Sequence, residues 1–251
     1  MKRHKIIVIF VMFFIVFFSI NKVDAYGFGV KKNNNHKQPD IGIYKGIIEG
    51  SNGIYVGSND KKDIYLTFDC GYENGYTNKI LDTLKEKKVS ATFFITGHYI
   101  DSASDLVLRM KRDGHILANH SNLHKDITKI KDEEIKKEIL DLEIKYKNLT
   151  GSNLTKFFRP PAGTFDKRSL DMVNSLGYVP LFWSLSYKDW NHQNSVEYTV
   201  NEVISNIHNG AIILLHAVSE ANSKALPIII DKLKDEGYKI CPTTDLISIN
   251  F

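Results

Sequence analysis

Five short segments of this 251-residue sequence end in side chains that can move protons or hold a cation. Ile64-Tyr65-Leu66-Thr67-Phe68 runs into Asp69-Cys70-Gly71-Tyr72-Glu73-Asn74-Gly75, and a carboxylate at the end of such a run is placed to act as a general base. Read alone, the same segment is equally a Gly-rich turn organised by Asp69 and Asn74. His115-Ile116-Leu117-Ala118 leads to Asn119-His120-Ser121-Asn122-Leu123-His124. Histidines four apart share one face of a helical turn, so both imidazoles could reach one metal ion, although surface histidines also meet this spacing by chance. His98 and His115 lack such context and read as supporting or simply packed.

Phe157-Phe158-Arg159-Pro160-Pro161-Ala162-Gly163 ends an apolar run with an arginine and a prolyl turn. Arg159 could grip a carboxylate bidentately and keep it ionised, or form a merely structural salt bridge. Phe182-Trp183-Ser184 leads to Asp189-Trp190, and Ala211-Ile212-Ile213-Leu214-Leu215 ends in His216. A histidine closing a wholly apolar strand is costly to leave unpaired, and Asp189 as its partner would raise its proton affinity, as suits a general acid. Each residue alone could be packing; five such segment ends together are harder to dismiss as packing.

Short β-branched and aromatic runs alternate with segments of helical spacing from Ile64 onward. Seven strands are expected, beginning near Ile64, Ala91, His115, Lys156, Val179, Ala211 and Tyr238. Helices are expected over Asn78 to Lys87, Asp132 to Leu149 and Val200 to Ile207. The middle one carries Ile135, Ile139, Leu142, Tyr146 and Leu149 on one stripe, with Gly151 placed to end it. Strand-helix repetition implies an α/β fold with a parallel sheet, doubly wound or closed toward a barrel; both put their sites at the carboxyl ends of the strands.

With 43% hydrophobic residues, the chain can bury one sizeable core. Lys2, Arg3 and Lys5 precede an apolar run from Ile6 to Ile20 and the small-residue stretch Val23-Asp24-Ala25, so residues 1–25 read as a secretory signal cleaved after Ala25, an uncleaved anchor in the membrane being the alternative. Removing that segment takes away Lys2, Arg3, Lys5, Lys22 and Asp24 and lowers the net charge from +4 to +1. No basic, aromatic-interleaved surface remains to track phosphates, which excludes nucleic acid as a partner. Residues 26–60 read as a linker or loosely attached arm, and 61–251 as the catalytic domain. Two cysteines, Cys70 and Cys241, are too few for a disulfide scaffold; whether they pair is open and would need their Cα atoms within about 7 Å. A monomer is the expectation.

In order, TFDCGYENG, HSNLH, RPPAG, the Asp189-Trp190 pair and LLH resemble the five motifs of the polysaccharide deacetylases of carbohydrate esterase family 4, over residues 61 to 251. TFDCGYENGYT and ATFFITGHYI are most similar to the delta-lactam-biosynthetic de-N-acetylases of spore cortex peptidoglycan. The resemblance implies an incomplete parallel (β/α)7 barrel with an open groove, acting outside the cytoplasm on a peptidoglycan glycan strand with a divalent metal ion, Zn²⁺ by expectation. It implies Asp69 as catalytic base, Arg159 as its orienting partner, His120 and His124 as metal ligands, His216 as general acid and Asp189 as the residue tuning it. A backbone N–H near Ala162 would help the metal stabilise the oxyanion. Trp190 and Leu214 would wall the acetyl pocket, with Ala162 and Tyr72 completing the substrate groove.

Two positions depart from that pattern. Cys70 stands where most of the family has a third, carboxylate metal ligand. It is either a thiolate ligand or no ligand at all, leaving two histidines and water. Ala162 stands where many members carry an aromatic residue, leaving room for a bulkier sugar such as muramic acid. The functions implied are de-N-acetylation of muramic acid on the way to delta-lactam; the same reaction on N-acetylglucosamine of peptidoglycan or chitin-like oligomers; and, in another class, a wall-glycan-binding protein that has lost turnover.

Overall fold

The computed structural model describes residues 25–32 and 35–249. The leader reading of residues 1–25 therefore lies almost entirely outside the described residues. Among those described, no helix is long and apolar enough to cross a membrane.

Among the described residues nine strands are formed: β1 (Tyr26–Gly27), β2 (Asp63–Cys70), β3 (Thr92–Ile95), β4 (Ile116–Asn119), β5 (Thr155–Phe158), β6 (Thr164–Phe165), β7 (Val179–Pro180), β8 (Ile212–His216) and β9 (Lys239–Ile240). The helices are α1 (Tyr44–Gly50), α2 (Thr77–Glu86), α3 (Gly97–Ser102), α4 (Ser104–Arg112), α5 (Asp132–Thr150), α6 (Lys167–Ser175), α7 (Val196–Ile204) and α8 (Glu220–Asp235). Seven strands make one parallel sheet in the order β7-β5-β4-β3-β2-β8, with β9 also pairing β2, and helices cover its outer face. This is an incomplete (β/α)7 barrel, and its seven strands are the seven expected from the sequence. The antiparallel pair β1 and β6 was not expected: each strand has two residues, too few for alternation to register.

Strand pleating sorts the core. Ile64, Leu66, Phe68 and Cys70 of β2 face outward into a cluster with Ile80, Leu81 and Leu84 of α2 and Leu226, Ile229 and Ile230 of α8. Tyr65, with Phe94 of β3 and Ile212 and Leu214 of β8, faces inward. β7 and β8 do not pair directly; the segment after β7 reaches β8 through one parallel bridge, Leu185 to Ile213, and the interior is filled from residues 26–56: Phe28, Ile41, Ile48 and Ile54 pack with Phe165, Leu181, Phe182 and Trp183. The expectation of a loosely attached arm is corrected here. Its few isolated apolar residues are core residues, with Ile48 fully buried, and Ile54 bonds through its backbone to Pro180 and Phe182.

The stripe on α5 is buried as expected, and Gly151 closes that helix in the left-handed conformation (φ 69°). Helix α7 begins four residues before Val200 because the Ser195 hydroxyl caps it by accepting from the Tyr198 N–H. Truncating Ile48 to Ala should lower stability by about 2–4 kcal/mol, read as an earlier urea midpoint with an unchanged slope. A loosely attached arm would leave the midpoint where it was.

Candidate active site

Register sets the centre. Parallel pairing places Asp69 of β2 beside His216 of β8 and beside Phe94 of β3, all at carboxyl ends. Arg159, one residue past β5, reaches under them and is completely buried. Its Nη1 donates to Asp69 Oδ1 (2.8 Å) and to Thr67 Oγ1 (2.9 Å), its Nε to Leu181 O (3.0 Å) and its Nη2 to Phe182 O (3.1 Å). The expected bidentate grip on a carboxylate is therefore corrected to a single contact: the remaining donors are taken by two backbone carbonyls and a threonine. The Phe94 ring lies 4.0 Å from the guanidinium carbon. Burial would raise the Asp69 pKa, but the charge of Arg159, its hydrogen bond and the charge of His216 outweigh it, so the pKa is lowered.

His120 and His124 follow β4, but not on a helical turn as their spacing suggested. Ser121 (φ 65°) and His124 (φ 56°) are left-handed, and this irregular loop brings the two rings edge to face with centroids 4.9 Å apart. Surroundings that over-determine the loop hold such backbone. The buried Glu138 carboxylate on α5 accepts from Leu123 N–H (2.6 Å), its carbonyl accepts from Asn122 N–H (2.9 Å), and Ser121 Oγ accepts from His124 N–H (2.9 Å). On the other side, a side chain at Gly97 would meet Asn122 Oδ1 at 1.9 Å, so only glycine lets α3 approach.

His120 Nδ1 is 2.9 Å from the carbonyl oxygen of Arg159, which can only accept, so the proton sits on Nδ1 and the Nε2 lone pair points away. Burial, ahead of the neighbouring charges, depresses the His120 pKa to about 4 and keeps the ring neutral. Nε2 then faces Asp69 Oδ2 across 3.5 Å with no proton between two electron-rich atoms. Two adjacent imidazoles, one with a buried lone pair turned toward the groove, are donors of the kind a divalent cation takes.

Asp189, fully buried, accepts from the His216 backbone N–H (2.6 Å), from His216 Nδ1–H (2.8 Å) and from Asn222 Nδ2 (2.5 Å). Tyr187 Oη in turn donates to Asn222 Oδ1 (2.7 Å). Burial would lower the His216 pKa, but the hydrogen bond and charge of Asp189, aided by Asp69, raise it. Trp190, half exposed, stands edge-on to the His216 ring at 5.3 Å.

Asp69, His120, His124, His216, Lys188 and Trp190 all line both halves of an open groove. The larger half, about 1320 Å³, adds Tyr72, His98 and Gln193; the smaller, about 580 Å³, adds Ala162, Leu214 and Trp183. Residues 56–181 match the polysaccharide deacetylase family. The chain belongs to that family. It is 40% identical over 227 residues to the peptidoglycan-N-acetylmuramic acid deacetylase PdaA of Bacillus subtilis, covering 89% of this chain and 86% of that protein. The solved structure of Bacillus subtilis PdaA, a family 4 carbohydrate esterase, matches with a TM-score of 0.88 at 39% identity over 91% of this chain and 99% of that one. A peptidoglycan-N-acetylglucosamine deacetylase of Bacillus cereus is 32% identical over 189 residues, 74% of this chain and 68% of that protein. The protein is thus a polysaccharide deacetylase, a hydrolase in a family generally dependent on metal.

In this deacetylase, Cys70 is turned away from the groove into the outer apolar cluster, where burial, then Asp69 and Glu73, push its thiol well above the usual range. Its reading as a thiolate ligand is corrected: the pleat that presents Asp69 must hide its neighbour. Among the described residues no group of three His, Cys, Asp or Glu side chains converges as a metal cage. Cys70 and Cys241 are both free and lie in different apolar clusters. His115 packs edge-on against Phe93, outside the site, whereas His98 lines the groove. Tyr72 is in the other half from Ala162 and Leu214. Thr67, Glu138, Tyr187 and Asn222 were missed; only Thr67 carried a signal, being two residues before Asp69 and hence on its face.

An NMR pH titration checks the electrostatics. The His216 imidazole should titrate above 6.5 and that of His120 well below it. Asp189→Asn, by removing the partner charge, should move the His216 midpoint down; an unmoved midpoint would contradict the pairing.

Proposed function

We propose that the protein removes the N-acetyl group from muramic acid residues of peptidoglycan whose peptide has been cleaved off, outside the cytoplasm. The freed amine lets the lactyl carboxyl close to the delta-lactam of spore cortex. The reading rests first on the buried Arg159–Asp69 pair standing beside the Asp189–His216 pair, with Asp69 and His216 both lining one groove. The likeness to a protein named as a muramic acid deacetylase supports the choice of sugar, as does the small Ala162, which leaves room beside the centre.

Two carboxylate-centred pairs with pKa values pushed apart fit base and acid roles in amide hydrolysis. Asp69, ionised beside Arg159, takes a proton from the water that adds to the acetyl carbonyl carbon. His216, protonated and oriented by Asp189, gives its proton to the nitrogen as the C–N bond breaks, releasing acetate and the amine. Leu214, Trp183 and Trp190 give the smaller half apolar walls against which the acetyl methyl would lodge, and in the left-handed turn at Ala162, where the Gly163 N–H is held by Pro160 O, the Ala162 N–H is the donor left for the oxyanion. His120 and His124 would hold a divalent ion, Zn²⁺ by its fit to imidazole, which when bound would polarise the carbonyl as a Lewis acid and make water more acidic.

Deacetylation of N-acetylglucosamine would use the same residues and differ in which sugar the groove admits. A binding protein without turnover is disfavoured because Cys70 is a core residue, so it marks no damage to the paired centre.

Acetate release by the purified protein with Zn²⁺ or other divalent ions, from peptide-free muramyl glycan and a chitin oligomer in parallel, tests the reading. Release from the muramyl glycan is the expected outcome; release only from the chitin oligomer moves the substrate to glucosamine, and none from either sinks the enzyme. Asp69→Asn should cut turnover by roughly 10²–10⁴-fold. Because His216 acts as its protonated form, Asp189→Asn should shift the alkaline limb of the kcat/KM profile to lower pH.

A further inference from the structure

Three acidic or basic side chains, Asp69, Lys32 and Lys188, line the two halves of the groove. Asp69 is matched by Arg159 at 2.8 Å, and Lys32 by Glu202 at 2.6 Å. Lys188 is exposed, lines both halves, and its ammonium has no carboxylate partner among the described residues.

The backbone of Lys188 is fixed although its side chain is unpartnered. Its carbonyl accepts from Asn191 N–H (3.3 Å) and Asn194 Nδ2 (2.9 Å). It stands between Tyr187, tied to Asn222, and Asp189, tied to His216. The stem therefore starts next to the residue that holds His216, and the side chain lines the groove on both sides of that centre. With Asp69 already neutralised, the groove presents one uncompensated positive charge.

We propose that Lys188 is a specificity-determining residue that receives a carboxylate carried by the sugar on the carbon next to the acetamido group. This deepens the muramic acid reading and rests on it: the lactyl ether of muramic acid occupies that neighbouring carbon, and N-acetylglucosamine has only a hydroxyl there. A substrate carboxylate so close to the scissile amide must lie within reach of the centre, and an ammonium is its natural counter-charge. Lys188 acts through binding of the sugar and takes no part in proton transfer.

The test compares peptide-free muramyl glycan carrying the free lactyl acid with the same glycan as its methyl ester, at low and high salt. For the wild type, kcat/KM should favour the acid, and added salt should erode that preference. In Lys188→Ala the acid-to-ester ratio of kcat/KM should fall about tenfold, through KM on the acid. Lys188→Glu should invert the ratio, and Lys188→Arg should restore it. An unchanged ratio in Lys188→Ala, or equal losses on acid and ester, would overturn the assignment while leaving muramyl deacetylation standing. A wild type that acts on the chitin oligomer and on neither muramyl form overturns the functional reading itself, and the role of Lys188 with it.

Discussion

Everything at this centre depends on one buried cation. Arg159 has no exposed surface, and an unpaired guanidinium at that depth would cost several kcal/mol. The protein meets the cost by giving each side of the guanidinium a partner: Asp69, Thr67, the carbonyls of Leu181 and Phe182, and the face of Phe94. Those partners come from β2, β3 and the segment after β7, so the sheet must have its register before the charge is satisfied. The carboxylate is in turn held ionised by the same contact. Core and chemistry share one network, and loosening either would loosen both.

The second pair is built on the same logic with different parts. Asp189 lies beyond any strand, yet the His216 backbone and ring and the Asn222 amide fix it from three directions. Because β2 and β8 are neighbours in register, the histidine tuned by Asp189 and the carboxylate tuned by Arg159 come to rest side by side. Opposite pKa shifts a residue apart on adjacent strands are produced by two buried partners of opposite charge, one to each side.

Much of this could be read from the chain because β-branched runs and their terminal polar residues occur together. The starts of all seven sheet strands, the α5 stripe with Gly151, and the residues Asp69, Arg159, His120, His124, Asp189 and His216 that meet in one place were legible in that way. What was not legible depends on contacts distant in sequence or on single backbone torsions. The four-residue spacing of His120 and His124 suggested a helix, whereas two left-handed residues make the approach. Residues 26–56 looked like a tether because their apolar positions have no period; they fill a barrel interior from outside its repeat. Cys70 was left between two readings, thiolate ligand or no ligand, although alternation along β2 already turned it from Asp69 and favoured the second.

Arg159 serves the centre with two separate parts of itself. Its side chain steadies Asp69, while its main-chain carbonyl receives the Nδ1 proton of His120 and so decides which nitrogen of that ring faces the groove. Exchanging the residue at position 159 alters the first role and leaves the second intact. An alanine scan would thus assign to Arg159 only half of what that position does, and the tautomer of a histidine 39 residues away in the chain would remain inherited from the peptide backbone, out of reach of any substitution.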